Sequence, residues 1–455
     1  AWATAPMGWS DIELVSTVST GVIGMDDMRT DSLGNVYFVW SDETPYAGSG
    51  IDSDIFYRAR FRNGTWSATE VVSEDDRASI FPSLGIDSDG NVHVVWVDGD
   101  PYRESAWVVY KMRQPNGTWV GLHTIGSAYY ITLPCLDIDS LNNVHIAWDT
   151  MYNVWHTIKF QNGTWSTSSL ETGWRRQHPW LRIDHDNNIY VTWWTETEFG
   201  IYYMKILANG TRLGPTCIGS GGRESVLAID SDGNPHVVWY NDWRVHPICD
   251  IWYRSFSDGS WNEIIEISSE TSTRAYDPCV AVTPDGTVYV AWIDSENYEG
   301  SGEDLDIFYK KQVDGVWTTT KDLTPESDDN CYEPKLEADL SGHVHLSWVD
   351  LDDLAGSGTD PDVFYRSTYV HEVVEASIDI DPDTLNLRSK GKWITAYIEF
   401  PEGYNVADIN VSSILLNDTI PVDPSAPTAI GDYDSDSIPD LMVKFDRAEV
   451  ISYIL

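Results

Sequence analysis

Seven copies of one sequence phrase, each closed by a tryptophan, run along most of this 455-residue chain. The closing residues are Trp40, Trp96, Trp148, Trp193, Trp239, Trp292 and Trp348. Successive spacings are 56, 52, 45, 46, 53 and 56 residues, so the period is about fifty. Short alternating apolar runs fill each copy, and Asn-Gly or Asp-Gly pairs between them favour two-residue hairpin turns. A period of this size built from short strands predicts a β-propeller.

Each copy divides into four predicted strands. The first two are represented by Pro82–Asp87 and Asn91–Asp98, and the last two by Asp54–Phe61 and Thr65–Ser73. The second and third alternate apolar and polar residues, as expected for strands with neighbours on both faces. The repeated tryptophans, and a tyrosine that recurs in the third strand, are predicted to pack between blades. In the third copy, His156 takes the place of that tyrosine.

The last copy lacks its fourth strand, and the missing phrase occurs at the other end of the chain. "GWSDIELVST" from Gly8 matches "TWSATEVVSE" from Thr65. We therefore predict that residues 8–18 form the outer strand of the last blade, which closes the ring and removes exposed sheet edges. The predicted fold is all-β, with a seven-bladed propeller over residues 1–372.

Residues 373–455 abandon the repeat but keep short alternating strands, which predicts a small Ig-like β-sandwich. This segment resembles a module of archaeal and bacterial secreted proteins, through "SIDIDPDTLNL", "WITAYIEF", "DINVSSILLN" and "GDYDSDSIPDLMVKFDRAEV". The resemblance implies one or two further strands after Leu455. Either the chain is cut there, or a strand from another subunit completes the sandwich, which would make the protein a polymer subunit.

Alternating carboxylates near the C-terminus form the strongest metal signal. They are Asp432, Asp434, Asp436 and Asp440, and the carbonyl of Ile438 could add a ligand. Such oxygens can converge on one hard cation, so a calcium site is predicted, with a solvated acidic turn as the alternative. The match to a helix-loop-helix calcium site is incomplete, because Ser437 stands where glycine is expected.

Composition limits the partners. Lys and Arg number 28 against 72 Asp and Glu, and the net charge of −44 excludes nucleic acid as an expected partner. The sequence contains no apolar run long enough for a membrane span. The absence of a leader before Ala1 indicates a secreted product at the cell surface or outside the cell. Six sequons predict glycosylation at Asn63, Asn116, Asn162, Asn209, Asn410 and Asn417.

Two further features are candidate sites. Three Gly-Ser-Gly acidic loops (Asp42–Asp54, Asp294–Asp306 and Asp350–Asp362) are copies of one another, and calcium binding, subunit contact and solvation are all open to them. An arginine also recurs just before the first strand, at Arg77, Arg176, Arg223 and Arg274. These arginines could line the channel mouth and bind an anionic sugar, or they could pair with the acidic loops.

The whole sequence resembles secreted, archaeal-style surface propellers and is distantly similar to sialidases, whose arginine cluster binds the substrate carboxylate. Its Asp-Gly turns depart from the sialidase Asp-box, and no catalytic pair can be named from spacing. We therefore expect a non-enzymatic structural protein, a subunit of a surface layer, sheath or filament, or an adhesin, self-associating through the C-terminal domain. The alternative is a carbohydrate-binding or sialidase-like propeller, since one fold serves both functions.

Overall fold

The computed structural model describes residues 8–454 except 51, 74–76, 101–104, 132, 174–175, 198, 242–248, 299–300, 303, 314, 359, 369–375, 382–390, 401–405, 410, 412–413, 417–418 and 435–437. The side chains of residues 23, 25, 26, 176 and 454 also lie outside the description. The chain divides into two compact units, Ala1–Val370 and His371–Leu455.

Within the described part of the first unit, the strands form seven antiparallel sheets, numbered I to VII in chain order. Sheet I comprises β2 (Val22–Thr30), β3 (Val36–Asp42), β4 (Asp54–Arg60) and β5 (Glu70–Val71), and sheet II comprises β6 (Ser79–Ile86), β7 (Val92–Asp98), β8 (Ala106–Arg113) and β9 (Trp119–Ala128). Sheet III comprises β10 (Cys135–Ile138), β11 (Val144–Thr150), β12 (Asn153–Lys159) and β13 (Trp165–Thr172). Sheet IV comprises β14 (Arg176–Ile183), β15 (Ile189–Thr195), β16 (Gly200–Ile206) and β17 (Arg212–Ser220). Sheet V comprises β18 (Gly222–Ile229), β19 (Pro235–Asn241), β20 (Ile251–Ser257), β21 (Ser260–Trp261) and β22 (Ile265–Glu266). Sheet VI comprises β23 (Tyr276–Val282), β24 (Val288–Asp294), β25 (Asp306–Val313), β26 (Val316–Trp317) and β27 (Lys321–Asp322). Sheet VII comprises β28 (Cys331–Ala338), β29 (Val344–Asp350), β30 (Asp362–Ser367) and β1 (Glu13–Leu14).

The first strands of these sheets pack against one another in a closed cycle. In chain order, β2, β6, β10, β14, β18, β23 and β28 each contact the next, and β28 returns to β2. The first strands therefore surround a common axis. Any cluster that the first strands contribute is assembled from residues far apart in the sequence.

The N-terminal strand completes sheet VII. Glu13 lies opposite Tyr365 and Leu14 opposite Phe364, and the amide of Val15 donates to the carbonyl of Val363 at 2.8 Å. Trp9 is buried and packs edge-on against Tyr309 of sheet VI. The chain start thus joins the last sheet in the same antiparallel pattern that the other sheets form from consecutive strands.

The core lies between neighbouring sheets. All seven repeated tryptophans are buried, with at most 5% of each exposed. In sheets II, V and VII the recurring tyrosine contacts a histidine of the second strand. In sheet II, His93 contacts the Tyr110 hydroxyl at 2.6 Å and Asp87 of the first turn at 3.0 Å. In sheet III, His156 takes the tyrosine's place and contacts His145 at 3.0 Å. The substitution at this position keeps the hydrogen-bonded connection.

The second unit contains a four-stranded antiparallel sheet in the order β31 (Ser377–Asp381), β32 (Trp393–Glu399), β36 (Asp440–Asp446) and β35 (Ala429–Gly431). A short hairpin joins β33 (Leu415–Leu416) to β34 (Ile420–Pro421), a 3₁₀ turn spans Val406–Asp408, and helix α1 spans Arg447–Ile454. Alternate residues of β32 are buried, so one face of this sheet covers an apolar core that α1 joins through Val450. None of the helices described is long and apolar enough to cross a membrane.

Candidate functional site

A bulge interrupts the first strand of several sheets near its start. Five residues there adopt positive φ angles although none is glycine: Phe81 (58°), His178 (51°), Glu224 (43°), Asp277 (48°) and Glu333 (55°). At each of them the pairing register with the second strand shifts. Left-handed backbone is unfavourable for such residues, and bulges re-aim side chains, so conformations of this kind cluster at functional sites.

All five bulge residues line one pocket on the axis of the first unit. The cavity has a volume of about 230 Å³, and its wall is completed mainly by the prolines and apolar residues that follow the bulges. The side chain of Glu333 leans over Gly24 of the neighbouring sheet, where an added Cβ would lie 2.9 Å from its Oε2 atom. The carboxylate is the end of a flexible side chain, whereas the φ of +110° at Gly24 favours glycine there whatever the space.

Three carboxyl groups in this pocket influence one another. Burial, with the nearby carboxylates of Glu224 and Glu333, raises the pKa of Asp277 to about 7, while Lys335 opposes the shift. Asp277 therefore holds its proton up to near neutral pH, unlike an ordinary aspartate. The arrangement places one carboxylic acid beside two further carboxylates, which is a proton donor beside candidate bases.

A histidine adjoins these acids. The Nδ1 atom of His178 lies 3.9 Å from Oε1 of Glu224. Burial lowers the pKa of His178, Glu224 opposes the shift and Arg223 adds to it. The imidazole is accordingly neutral at pH 7, when it can donate through one nitrogen and accept through the other.

Below the bulge layer, the axis holds a network of buried charges. Arg29 donates to Asp27 at 2.8 Å and lies 3.6 Å from Glu337, which Arg182 approaches from the other side at 3.9 Å. Burial alone would lower the pKa of Arg29, but Asp27 and Glu337 outweigh it and raise the pKa. Burial also raises the pKa of Glu337. Arg29 and Arg182, with Lys335, are the basic residues on the pocket wall.

The arginines predicted from the sequence do not form this site. Arg77 donates to its own sheet's Asp98 at 2.9 Å and lies over the Trp107 ring. Arg223 lies over Trp194, and Arg274 lines a separate shallow cleft with Tyr240. The Arg176 side chain is outside the described residues. The three that are described thus do not line the axial pocket, because Arg77 pairs within its own sheet, Arg223 lies over a tryptophan of the neighbouring sheet and Arg274 lines another cleft.

Sequence reasoning missed the bulge residues. A signal was present, since Phe81, His178, Asp277 and Glu333 each precede a proline at the same point of the repeat. A proline there restricts the residue before it, and the change from apolar to titratable residues at that position was visible. Spacing alone could not show that these side chains point to the axis.

Four predicted glycosylation sites, Asn63, Asn116, Asn162 and Asn209, are exposed at hairpin turns. Each uses its side-chain oxygen to accept the amide hydrogen of the residue two positions later, at 2.9–3.0 Å. Such turns are favoured by asparagine without any glycan. Asn410 and Asn417 lie outside the described residues, and glycosylation stays a prediction.

The acidic loop between β35 and β36 brings three of its predicted ligands together. Carboxylate oxygens of Asp432, Asp434 and Asp440 lie within 4.8 Å of one another. Asp440 also accepts the backbone amide of Tyr433 at 2.8 Å, which folds the loop back on the strand. Asp436 is outside the described residues, and Ile438 lies two residues before β36. Their geometry suits an oxygen-coordinated cation, and calcium there stays a prediction.

No protein-family model and no curated protein matches the chain. Among solved structures, a polysaccharide lyase, an ulvan lyase bound to a GlcA(1-4)Rha3S saccharide, is 11% identical with a TM-score of 0.53, over 77% of this chain and 95% of its own. A Hadza microbial sialidase is 11% identical with a TM-score of 0.43, over 78% of this chain and 66% of its own. An α-L-arabinofuranosidase of Fusarium graminearum is 13% identical with a TM-score of 0.45, over 80% and 97%.

At these identities the similarity concerns the fold, and it supports the all-β propeller predicted from the repeats. The expectation that the chain is not an enzyme is contradicted by its match to the structure of an enzyme, the ulvan lyase. No catalytic pair was recognisable from sequence spacing. The axial pocket contains three interacting carboxyl groups and a histidine.

Proposed function

We propose that the first unit is a seven-bladed β-propeller that cleaves glycosidic bonds in its axial pocket, outside the cell. The seven sheets are its blades, and the closed cycle of first strands supports that interpretation. The observation on which the activity rests is that Asp277, whose pKa is raised to about 7, shares one pocket with Glu224 and Glu333. Glycoside hydrolysis requires an acid for the leaving oxygen and a second carboxylate as base or nucleophile.

In this mechanism, Asp277 donates its proton to the glycosidic oxygen as the bond breaks. Glu224 or Glu333 either attacks the sugar carbon or takes a proton from the attacking water. The neutral His178 beside Glu224 orients that carboxylate or a sugar hydroxyl. The strained bulges hold all these side chains at the pocket rather than along the strand.

Hydrolysis is favoured over β-elimination because two of the three cations on the described pocket wall, Arg29 and Arg182, already pair with carboxylates. A lyase neutralises the carboxylate of a uronic acid, and that requires cations available to the substrate. Arg29 already pairs with Asp27 at 2.8 Å, and Arg182 lies 3.9 Å from Glu337. Removing them from these partners would leave buried carboxylates uncompensated, which is costly.

The test is activity against a panel of neutral, uronic-acid and sialylated glycans in water enriched in ¹⁸O, with the products separated by chromatography and their label read by mass spectrometry. We expect one labelled oxygen per cleaved bond, and a rate that falls above about pH 7 as Asp277 ionises. Asp277→Asn should lower kcat by about 10²-fold or more, whereas the exposed Asp232→Asn should not. An unsaturated, unlabelled product would refute hydrolysis, and full activity of Asp277→Asn would refute the assigned acid.

Other expectations extend this proposal. The second unit is proposed to be an Ig-like sandwich domain that binds calcium through Asp432, Asp434 and Asp440, supported by the convergence of those carboxylates. Self-association through this unit stays a prediction, which sedimentation velocity with calcium and with chelator tests. Loss of calcium binding by Asp434→Asn, in a chain that keeps its first-unit activity, would separate the two units' roles.

A further inference from the structure

The three Gly-Ser-Gly loops share a structure as well as a sequence. In each, an aspartate ending the second strand lies directly opposite an aspartate beginning the third. The pairs are Asp42 with Asp54, Asp294 with Asp306, and Asp350 with Asp362. All six residues are at most 1% exposed. Like charges placed directly across a strand pair repel, and burial withholds the water that would solvate them.

Hydrogen bonds satisfy only part of each pair. One oxygen of the third-strand aspartate accepts from a hydroxyl on the outer strand: Oδ1 of Asp362 from Ser16 at 2.5 Å, and Oδ1 of Asp306 from Thr324 at 3.3 Å. The other oxygen, Oδ2, is buried in both residues and has no hydrogen-bond partner among the described residues. Each aspartate therefore turns one unsatisfied oxygen toward its loop.

Another carboxylate of the loop adds a second such oxygen. Asp304 and Asp360, two residues before Asp306 and Asp362, each have a buried Oδ2 atom that also lacks a partner within the described structure. Buried polar atoms are almost always satisfied in folded proteins. Two unsatisfied carboxylate oxygens in one loop, repeated in two sheets, are the pattern that a bound cation would complete. Asp52 and Asp54 occupy the same positions in sheet I.

The loops are built structures rather than solvated tails. The Ser301 hydroxyl donates to the carbonyl of Glu296 at 3.1 Å, and Ser49 makes the equivalent bond to Thr44 at 2.8 Å. The glycine after that serine has positive φ, and a Cβ at Gly358 would lie 3.1 Å from Oδ1 of Asp360. Serine and glycine thus hold the loop in the form that presents the aspartates.

Sheets without the loop avoid the carboxylate pair. In sheet II, Asp98 lies opposite Trp107 and is neutralised by Arg77 at 2.9 Å. In sheets III and IV the opposed residues are Thr150 with Asn153 and Thr195 with Gly200. Sheet II therefore already has a protein cation beside its aspartate, and in sheet V Asp250 accepts from the side-chain amide of Asn241 at 3.4 Å. In the sheets that have the loop, a bound metal ion could take the role that Arg77 has beside Asp98.

We propose that each Gly-Ser-Gly loop binds one calcium ion, held by Asp304 and Asp306 in sheet VI, Asp360 and Asp362 in sheet VII, and Asp52 and Asp54 in sheet I. The ligand set is all oxygen, which selects a hard cation, and calcium accepts loop carbonyls alongside carboxylates. Carbonyls are needed, because among the described residues three acidic side chains come within 4.8 Å of one another at Asp432, Asp434 and Asp440 but not in these loops. The inference is independent of the proposed catalytic activity.

The alternative is neutralisation by protons. Burial, with Asp322 and Asp304 nearby, raises the pKa of Asp306 to about 9, and burial with Asp360 raises that of Asp362 to about 7. Calcium titration of the full-length, chelator-treated protein at pH 7.5 decides between the two. We expect Asp306→Asn and Asp362→Asn each to bind one calcium fewer than wild type, and the double variant two fewer. The exposed Asp232→Asn should bind the wild-type number.

Thermal unfolding gives a second readout. Calcium at about 100 times its dissociation constant should raise Tm by roughly 3 °C per occupied site in a unit of this size, and the double variant should lose about two thirds of the first unit's shift. An unchanged calcium count, or an unchanged shift in the double variant, would overturn the proposal. Should a variant fail to fold, crystals of the wild type soaked in terbium must show anomalous peaks at the three loops, and their absence would equally overturn it.

Discussion

Replacing Asp277 by asparagine isolates the effect of one buried acid on stability. The folded protein raises the pKa of this carboxyl from 3.8 to about 7, a shift of about three units, or ~4 kcal/mol when fully expressed. The side chain is half-buried, so solvent screening reduces the expected value to about 2–4 kcal/mol. Asparagine has nearly the same shape but cannot ionise, and it should escape this penalty.

The penalty depends on pH in a defined direction. Below pH 4 the carboxyl is protonated in both the folded and the unfolded chain, so wild type and Asp277→Asn should be equally stable. Between about pH 4 and 7 the unfolded chain releases the proton while the folded chain keeps it, so the wild type loses up to ~1.4 kcal/mol per pH unit relative to the variant. Above pH 7 the difference should remain constant.

Thermal unfolding of both proteins from pH 4 to 8.5 measures this difference. For a unit of about 370 residues, 2–4 kcal/mol corresponds to roughly 3–5 °C in Tm, with the variant melting higher at pH 8. Asp232→Asn, at an exposed turn, should follow the wild type at every pH. A variant curve parallel to wild type over the whole range would show that Asp277 ionises normally, and the assignment of the catalytic acid would fail with it.

Three further outcomes follow from the structure. Arg366→Ala should lower the stability of the first unit by about 3–5 kcal/mol, because it removes a fully buried cation 2.8 Å from Glu326. Urea unfolding measures the loss, with the exposed Arg62→Ala as the control. A loss below about 1 kcal/mol would contradict the prediction. Deleting residues 1–18 should lower Tm and promote aggregation, because it removes buried Trp9 and uncovers the edge of β30. A deletion variant that is monomeric by light scattering and unfolds at the wild-type Tm would refute closure by the N-terminal strand. A thiol reagent should label one cysteine in the native protein, exposed Cys217, and all five after denaturation; rapid native labelling of the four buried thiols would show that the cores open.

The candidate site was less predictable than the fold. The repeats identified the strands, because each strand and turn is specified by neighbouring residues through alternation and Asn-Gly chemistry. The recurring arginines were expected near the channel mouth, but the three that are described do not line the axial pocket, because sequence proximity to a first strand does not determine which way a side chain packs. Arg77 illustrates this, since a carboxylate that it pairs with, Asp98, lies 21 residues away on the second strand of the same sheet.

The acidic loops were partly predictable from the sequence. It showed that the three loops are copies of one another, and calcium binding was one of the roles left open. Only the antiparallel register shows that Asp306 faces Asp294 and that Asp362 faces Asp350. The hydrogen bonds then show which oxygens are already used. The pairing register and the hydrogen bonding of these oxygens are properties of paired strands, so they cannot be read from the sequence of one strand.

By itself, the sequence determined the repeated four-strand unit, its turns, the buried tryptophans and the match of the chain start to the missing strand, because these depend on local residue order. The tertiary structure decided which side chains meet on the axis. Asp277 acquires its raised pKa from burial and from Glu224 and Glu333, which are 53 and 56 residues away in sequence and come near it because the first strands pack side by side. The chemistry of the pocket arises from long-range proximity and burial, and neither is written in any one repeat.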